Sequence, residues 1–138
     1  MKFHESSERE IDFYREGMTR EEYISLLKTI SFKYHEFKKG EDVICIAGIF
    51  RTEDGTNAYW QFLTDKFPKN YIPKAFIQEY LDFNTQNLKF FDRGECSILH
   101  ENYFARWLLL YGKKRRGWKV TEKSKNGMMT TYLIERGD

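Results

Sequence analysis

The clearest periodic stretch follows Thr19. Tyr23, Leu26, Leu27 and Ile30 recur at helical spacing, one apolar face of a 3.6-residue repeat. Thr19-Arg20-Glu21-Glu22 precedes them and fits a capping box, in which the threonine hydroxyl accepts from an amide three residues on while the glutamate reaches back. The pattern predicts a helix over 20–29. The period then changes to two. Ile30, Phe32, Tyr34 and, less cleanly, Glu36 fall on one face of a strand ending at Phe37, with Lys39-Gly40 as the turn. Val43 to Phe50 is a continuous apolar run, the pattern of a strand buried on both faces. Glu53-Asp54-Gly55 carries a hairpin signal, and Ala58 to Leu63, rich in rings, reads as a third strand. Short connections predict an antiparallel meander. Residues 1–18 admit two readings: Glu8 to Tyr14 mixes charge with Ile11, Phe13 and Tyr14, as an edge strand or a helical turn would.

Thr64 to Ile72 reads as a loop. Pro73 suits the first turn of a helix, where its missing N–H is no loss. Phe76, Ile77, Tyr80, Leu81 and Asn84 carry that helix to about Asn87. Leu88 to Phe91 and Cys96 to Leu99 flank the polar kink Asp92-Arg93-Gly94-Glu95, predicting a strand near 95–99. Phe104, Ala105, Trp107, Leu108 and Tyr111 predict a helix over 101–111, ending at Gly112 as a left-handed cap. Trp118 to Glu122 and Met129 to Ile134 form a last hairpin across Lys123 to Gly127. This order predicts an α+β (mixed α/β) single domain over residues 1–138: a mostly antiparallel sheet with one parallel strand pair, flanked by helices. The crossover is right-handed, and a crevice is expected where the parallel strands end.

Composition narrows the function classes. The 138 residues fit one domain. Phe 12, Tyr 9 and Trp 3 are too many rings for a polar disordered chain. Lys+Arg 23 against Asp+Glu 21 gives a net charge of +2, which argues against strong dependence on nucleic acid. No apolar run approaches the ~20 residues a bilayer needs, and the N-terminus has no apolar signal region, so a cytoplasmic protein is expected. Cys45 and Cys96 fit reduced thiols better than a disulfide. His4, His35 and His100 lack metal spacing and no C-x-x-C occurs, so no metal site is expected.

Several positions are candidates for chemistry, each with a plainer alternative. His100 and Glu101 follow a strand's carboxyl end, where a general base or substrate contact belongs; Glu101 is equally a first-turn helix acid. Lys113 to Arg116, with Trp118 for stacking, suits a phosphate or a local nucleic-acid contact, or a solvated basic turn that favours the preceding helix C-terminus. Trp60, Trp107 and Trp118 are core or interface anchors. The aromatic load leaves room for a self or partner interface, so a homo-oligomer is compatible.

The stretch Asn102-Tyr103-Phe104-Ala105-Arg106-Trp107-Leu108-Leu109-Leu110-Tyr111-Gly112 resembles the "N-x-x-A-x-x-x-L…G-F" segment of the GNAT acetyltransferase fold. A nearer similarity is to divergent phage-encoded GNAT-like proteins, which resemble the N-terminal part of an internal virion protein of T7-like phages. It is carried by Ala47-Gly48, Trp60 with Thr64, and Ala105-Arg106-Trp107-Leu108, and spans residues 20–135. The resemblance implies acetyl-CoA as cofactor. Strand groups at Phe62, Leu63 and Thr64 would take the pantetheine. The loop 65–73, with Lys66, Lys69 and Asn70, would take the pyrophosphate, and Asn102 would complete the cofactor set. Tyr111, His100 and Glu101 are the catalytic candidates, Tyr111 as proton donor to the leaving thiolate. The acceptor would be a protein or small amine. The alternative is a catalytically silent virion component or host-interaction protein, in the host cytoplasm or the particle. A small nucleic-acid-binding domain is the third reading. The chain departs from the pattern in having no glycine between Gly55 and Gly94, in placing Leu109 seven residues after Asn102 where a tyrosine is expected, and in Gly112-Lys113 for the "G-F" exit. Enzymatic function predicts an open crevice; the silent reading predicts one plugged by Phe67 or Tyr71.

Overall fold

The computed structural model describes residues 17–137; the two readings of Glu8 to Tyr14 lie outside them. In chain order the elements are α1 (Arg20–Ile30), β1 (Lys33–Lys39), β2 (Asp42–Arg51), β3 (Asn57–Leu63), α2 (Lys74–Phe91), β4 (Arg93–Leu99), α3 (Tyr103–Arg116), β5 (Lys119–Asn126) and β6 (Met129–Glu135). The six strands form one sheet in the order β1-β2-β3-β4-β6-β5. Every neighbouring pair is antiparallel except β3 and β4, which are parallel. The mixed α/β class, the mostly antiparallel sheet and the single parallel pair are as the sequence predicts.

Helices cover the sheet unequally. α2 and α3 pack on one face, over a core that includes Phe37, Ile44, Leu63, Phe76, Leu81 and Leu108. α1 lies on the other face, where Leu27 meets Phe62, with Trp60 and Phe50 beside them. Both halves of the Thr19–Glu22 capping box are present at its start. β2 lies under both layers, which is why Ile44 to Ile49 are buried without interruption.

Four details complete or change the expected pattern. In β1 the face carrying Phe32 and Tyr34 is outside, with Phe32 55% exposed, and Phe37 is the buried ring at 1%. Phe37 fits among Phe76, Tyr80 and Phe83 of α2. Side chains alternate along a strand, so burying that ring turns the even-numbered residues outward. Arg51 and Lys28 lie over Phe32 and Tyr34.

Leu88 to Phe91 are the last turn of α2 rather than strand-like; the helix stops only at Asp92, which adopts positive φ. Pro73 precedes the helix as its N-cap. Finally, α3 does not end at Gly112. It continues to Arg116, and Gly117 is the left-handed cap. Lys113 to Arg116 are therefore the last helical turn rather than a loop, where cations favour the helix end.

Candidate functional site

The sheet has a seam. β3 and β4 share one ladder pair, Ala58 with Glu95, near the start of both strands. Beyond it they part toward their carboxyl ends, β3 into the loop before α2 and β4 into the turn before α3. A cavity of about 360 Å³ occupies this opening, a size suited to a small ligand or the arm of a larger one. It reaches both faces of the sheet: Tyr23, Trp60 and Phe62 line it on the α1 side, and Tyr80, Ala105 and Leu109 on the α2–α3 side.

Charged groups stand at one end. Asp54, in the β2–β3 turn, accepts from the Thr52 hydroxyl and from the Thr56 amide at 3.1 Å. These bonds, Thr52 first, hold its carboxyl below its ordinary pKa, with a smaller contribution from the Lys123 charge. Lys123 Nζ lies 2.6 Å from Glu95 Oε2, and both residues line the cavity. Deeper in, the Tyr59 hydroxyl is buried with no hydrogen-bond partner among the described residues, and burial pushes its pKa up. Tyr80 is buried beside it and shifted the same way, again chiefly by burial.

Of the residues expected to hold a cofactor, Phe62 lines the cavity. Leu63 belongs to the core, and its carbonyl accepts from Arg20 at 3.2 Å. Thr64 anchors the loop: its hydroxyl donates to the Val43 carbonyl at 2.6 Å and accepts from the Lys66 amide at 3.2 Å. Lys66, Lys69 and Asn70 are exposed on that loop. Asn102 is buried and caps α3, accepting from the Ala105 amide at 3.1 Å.

The expected catalytic residues do not gather at the cavity. Tyr111 is half-buried against the core and stacks on Trp107 with centroids 4.9 Å apart, with Arg115 over its ring; it does not line the cavity. Leu109 takes the position toward the cavity. His100 pairs through Nε2 with the Thr130 hydroxyl at 2.9 Å, and Glu101 follows it in the turn; neither lines the cavity. Tyr59, Asp54, Glu95 and Lys123 were not legible as site residues, because a register shift and a strand split bring them together.

Two ring positions matter for the site. Phe67 is 1% exposed and packs edge-on against Phe76 and Phe104, at 5.2 and 5.5 Å, closing the space between the loop, α2 and α3. Tyr71 is exposed, and neither ring lines the cavity, so neither plugs the crevice. Trp118 is buried and donates through Nε1 to Thr85 at 3.0 Å, so its ring is not available for stacking on a base. Nearby, Arg116 ties α3 to α2 through Gln78 and Asp82, both at 2.9 Å. Among the described residues, no group of three or more His, Cys, Asp and Glu is placed to hold a metal ion, and no helix is long and apolar enough to cross a membrane.

No protein-family model and no curated protein matches this chain. Solved structures do. An acetyltransferase from Bacillus subtilis, solved in complex with CoA, superposes with a TM-score of 0.55 at 13% identity, covering 83% of this chain and 82% of that one. An acetyltransferase of the GNAT family from Streptococcus pneumoniae superposes with a TM-score of 0.50 at 12% identity, covering 88% of this chain and 77% of that one. At such identity the likeness is one of fold, and the fold of this chain is that of the GNAT acetyltransferases.

Proposed function

We propose that this chain, acting as a single domain, binds acetyl-CoA with its thioester arm in the seam cavity and transfers the acetyl group to an amine. The observation that carries the reading is the opening through the sheet where β3 and β4 part after one ladder pair, in a fold shared with an acetyltransferase solved with CoA.

The cavity's size and its apolar walls suit a thioester arm. The start of α2 suits an anion: no side chain caps it, so its first amides and the helix dipole point at whatever lies there. Lys66 and Lys69 add positive charge from the exposed loop, with Asn70 beside them. The absence of glycine in that loop leaves no tight backbone cradle within the loop itself, so phosphate contacts fall to these side chains and the first amides of α2. Asn102 serves the site indirectly, by fixing the start of α3.

Bound acetyl-CoA supplies an activated acyl thioester. Tyr23, Trp60 and Phe62 exclude water from the carbonyl, and backbone donors along the parted edges polarise it. Leu109 offers no proton, so positioning of the amine and polarisation of the carbonyl carry the rate.

Thermal unfolding tests the reading. Acetyl-CoA at ~100 times its dissociation constant adds about 2.7 kcal/mol to a native state that alone binds it, a rise in Tm of several degrees for a domain of this size. Replacing Lys66 and Lys69 together by alanine is expected to reduce the rise. No rise with excess acetyl-CoA overturns the proposal.

One observation favours a second reading, the catalytically silent phage virion or host-interaction protein. Leu109 stands where the pattern expects a tyrosine, seven residues after Asn102. Stabilisation by CoA and acetyl-CoA alike, with no acetyl transferred to any amine, selects it.

A further inference from the structure

We infer that Lys123 is an acetyl acceptor within the protein itself, its side-chain amine facing a thioester held in the seam cavity. This rests on the acetyl-CoA reading above.

β5 is the outermost strand, separated from β4 by β6. Its register shifts between Glu122 and Ser124: Glu122 pairs with Tyr132 and Ser124 with the next residue back, Thr131. Lys123 is the extra residue, a β-bulge. Bulges bend a strand and re-aim a side chain, and they recur beside active sites. Here the bulge sends the Lys123 side chain across β6 to the Glu95 carboxylate of β4, at 2.6 Å. Glu95 is also the residue that pairs with Ala58 at the point where the seam opens. The amine therefore stands at the rim of the cavity, among the residues that line it. Lys119 and Lys125, on the same strand, do not line the cavity, and Lys125 pairs instead with Glu122 at 3.5 Å.

The pair also has the right chemistry. An ammonium must lose a proton before it attacks, and a carboxylate within hydrogen-bond distance can take it. The neutral Lys123 nitrogen then forms a C–N bond to the thioester carbonyl carbon as the C–S bond breaks. The sulfur leaves with the electron pair of that bond and takes up one of the two protons the nitrogen sheds; the other passes from Glu95 to water. The products are an amide on Lys123 and free CoA thiol. Acetylation removes the lysine charge, so Glu95 loses its ion-pair partner at the cavity rim.

The test is mass spectrometry of the full chain incubated with acetyl-CoA, with peptide mapping, beside a thermal-shift measurement on the same samples. The expected result is one acetyl group, on Lys123, added at a rate independent of protein concentration. Lys123→Arg is expected to remove the label while acetyl-CoA still raises Tm. Glu95→Gln is expected to slow labelling about 100-fold, as loss of a general base does, with the thermal shift retained. Labelling spread over Lys119, Lys125 and other exposed lysines, at the rate seen in urea-unfolded chain, overturns the inference. So does a thermal shift with no label on Lys123, which leaves the acetyl-CoA reading standing. Neither shift nor label overturns both.

Discussion

The indole of Trp118 occupies the space that a side chain at Gly112 would need: a Cβ built there would lie 2.1 Å from the Trp118 ring. The same indole reaches α2 through its bond to Thr85. Thus one ring, tucked under a helical glycine, holds the end of α3 against both α2 and the start of β5. In an ordinary helix, replacing glycine by alanine stabilises by about 1 kcal/mol. Here Gly112→Ala is expected to destabilise by about 1–3 kcal/mol, the range for an overpacked core. Urea denaturation checks the sign; a gain in stability shows that the ring has room to move.

Tyr59→Phe keeps the ring and removes only the unpartnered hydroxyl. A buried polar group without a partner costs roughly 1–3 kcal/mol, so this variant is expected to match or exceed the parent in stability by up to that amount. A loss of more than about 1 kcal/mol in chemical denaturation shows that the hydroxyl has a partner in solution.

Stability is expected to fall in alkali. Cys45, Tyr59 and Tyr80 all have pKa values raised by burial above their ordinary 9.0, 10.0 and 10.0. The folded chain keeps these protons where the unfolded chain releases them. Stability is therefore insensitive to these groups below about pH 9 and declines above it, by up to about 1.4 kcal/mol per pH unit for each group. Denaturation midpoints across the alkaline range check the slope, and Tyr59→Phe is expected to reduce it. Cys45 is also expected to resist thiol reagents until the chain unfolds, since the reactive form is the thiolate.

Asn102→Ala removes the α3 cap. Loss of a side-chain N-cap costs about 0.5–2 kcal/mol, and thermal unfolding is expected to show it. The bond to Ala105 turns the Asn102 oxygen into its own helix, so acetyl-CoA is expected to raise the variant's Tm by the same increment as the parent's. A reduced increment places Asn102 in the cofactor contact.

Local signals were enough for most elements. The capping box marks α1, the unbroken apolar run of β2 records burial on both faces, and the Asp-Gly turn fixes the β2–β3 hairpin. The sequence was less informative where tertiary packing overrides a local rule. Gly112 reads as a helix stop, because nothing in the sequence shows that Trp118 needs its space. Phe32 and Tyr34 read as sharing one face of a strand, but alternation does not say which side α2 covers. The candidate site was less legible still. Phe62 was recoverable from the third strand, but Lys123 and Glu95 meet only through a bulge and a return strand, which leave no mark in local spacing.

The single ladder pair at the seam has a consequence for the chain as a polymer. β1, β2 and β3 pair with one another, and β4, β6 and β5 do the same, so each half of the sheet builds its ladders from its own stretch of sequence. Apart from that single pair and the bond from the Asn57 side chain to the Arg93 carbonyl, what joins the halves is side-chain packing beneath α2 and α3. A backbone break in the exposed loop, between Lys69 and Asn70, therefore cuts no strand or helix. Two fragments divided there are expected to reassemble when expressed together, making this fold a candidate for a split reporter.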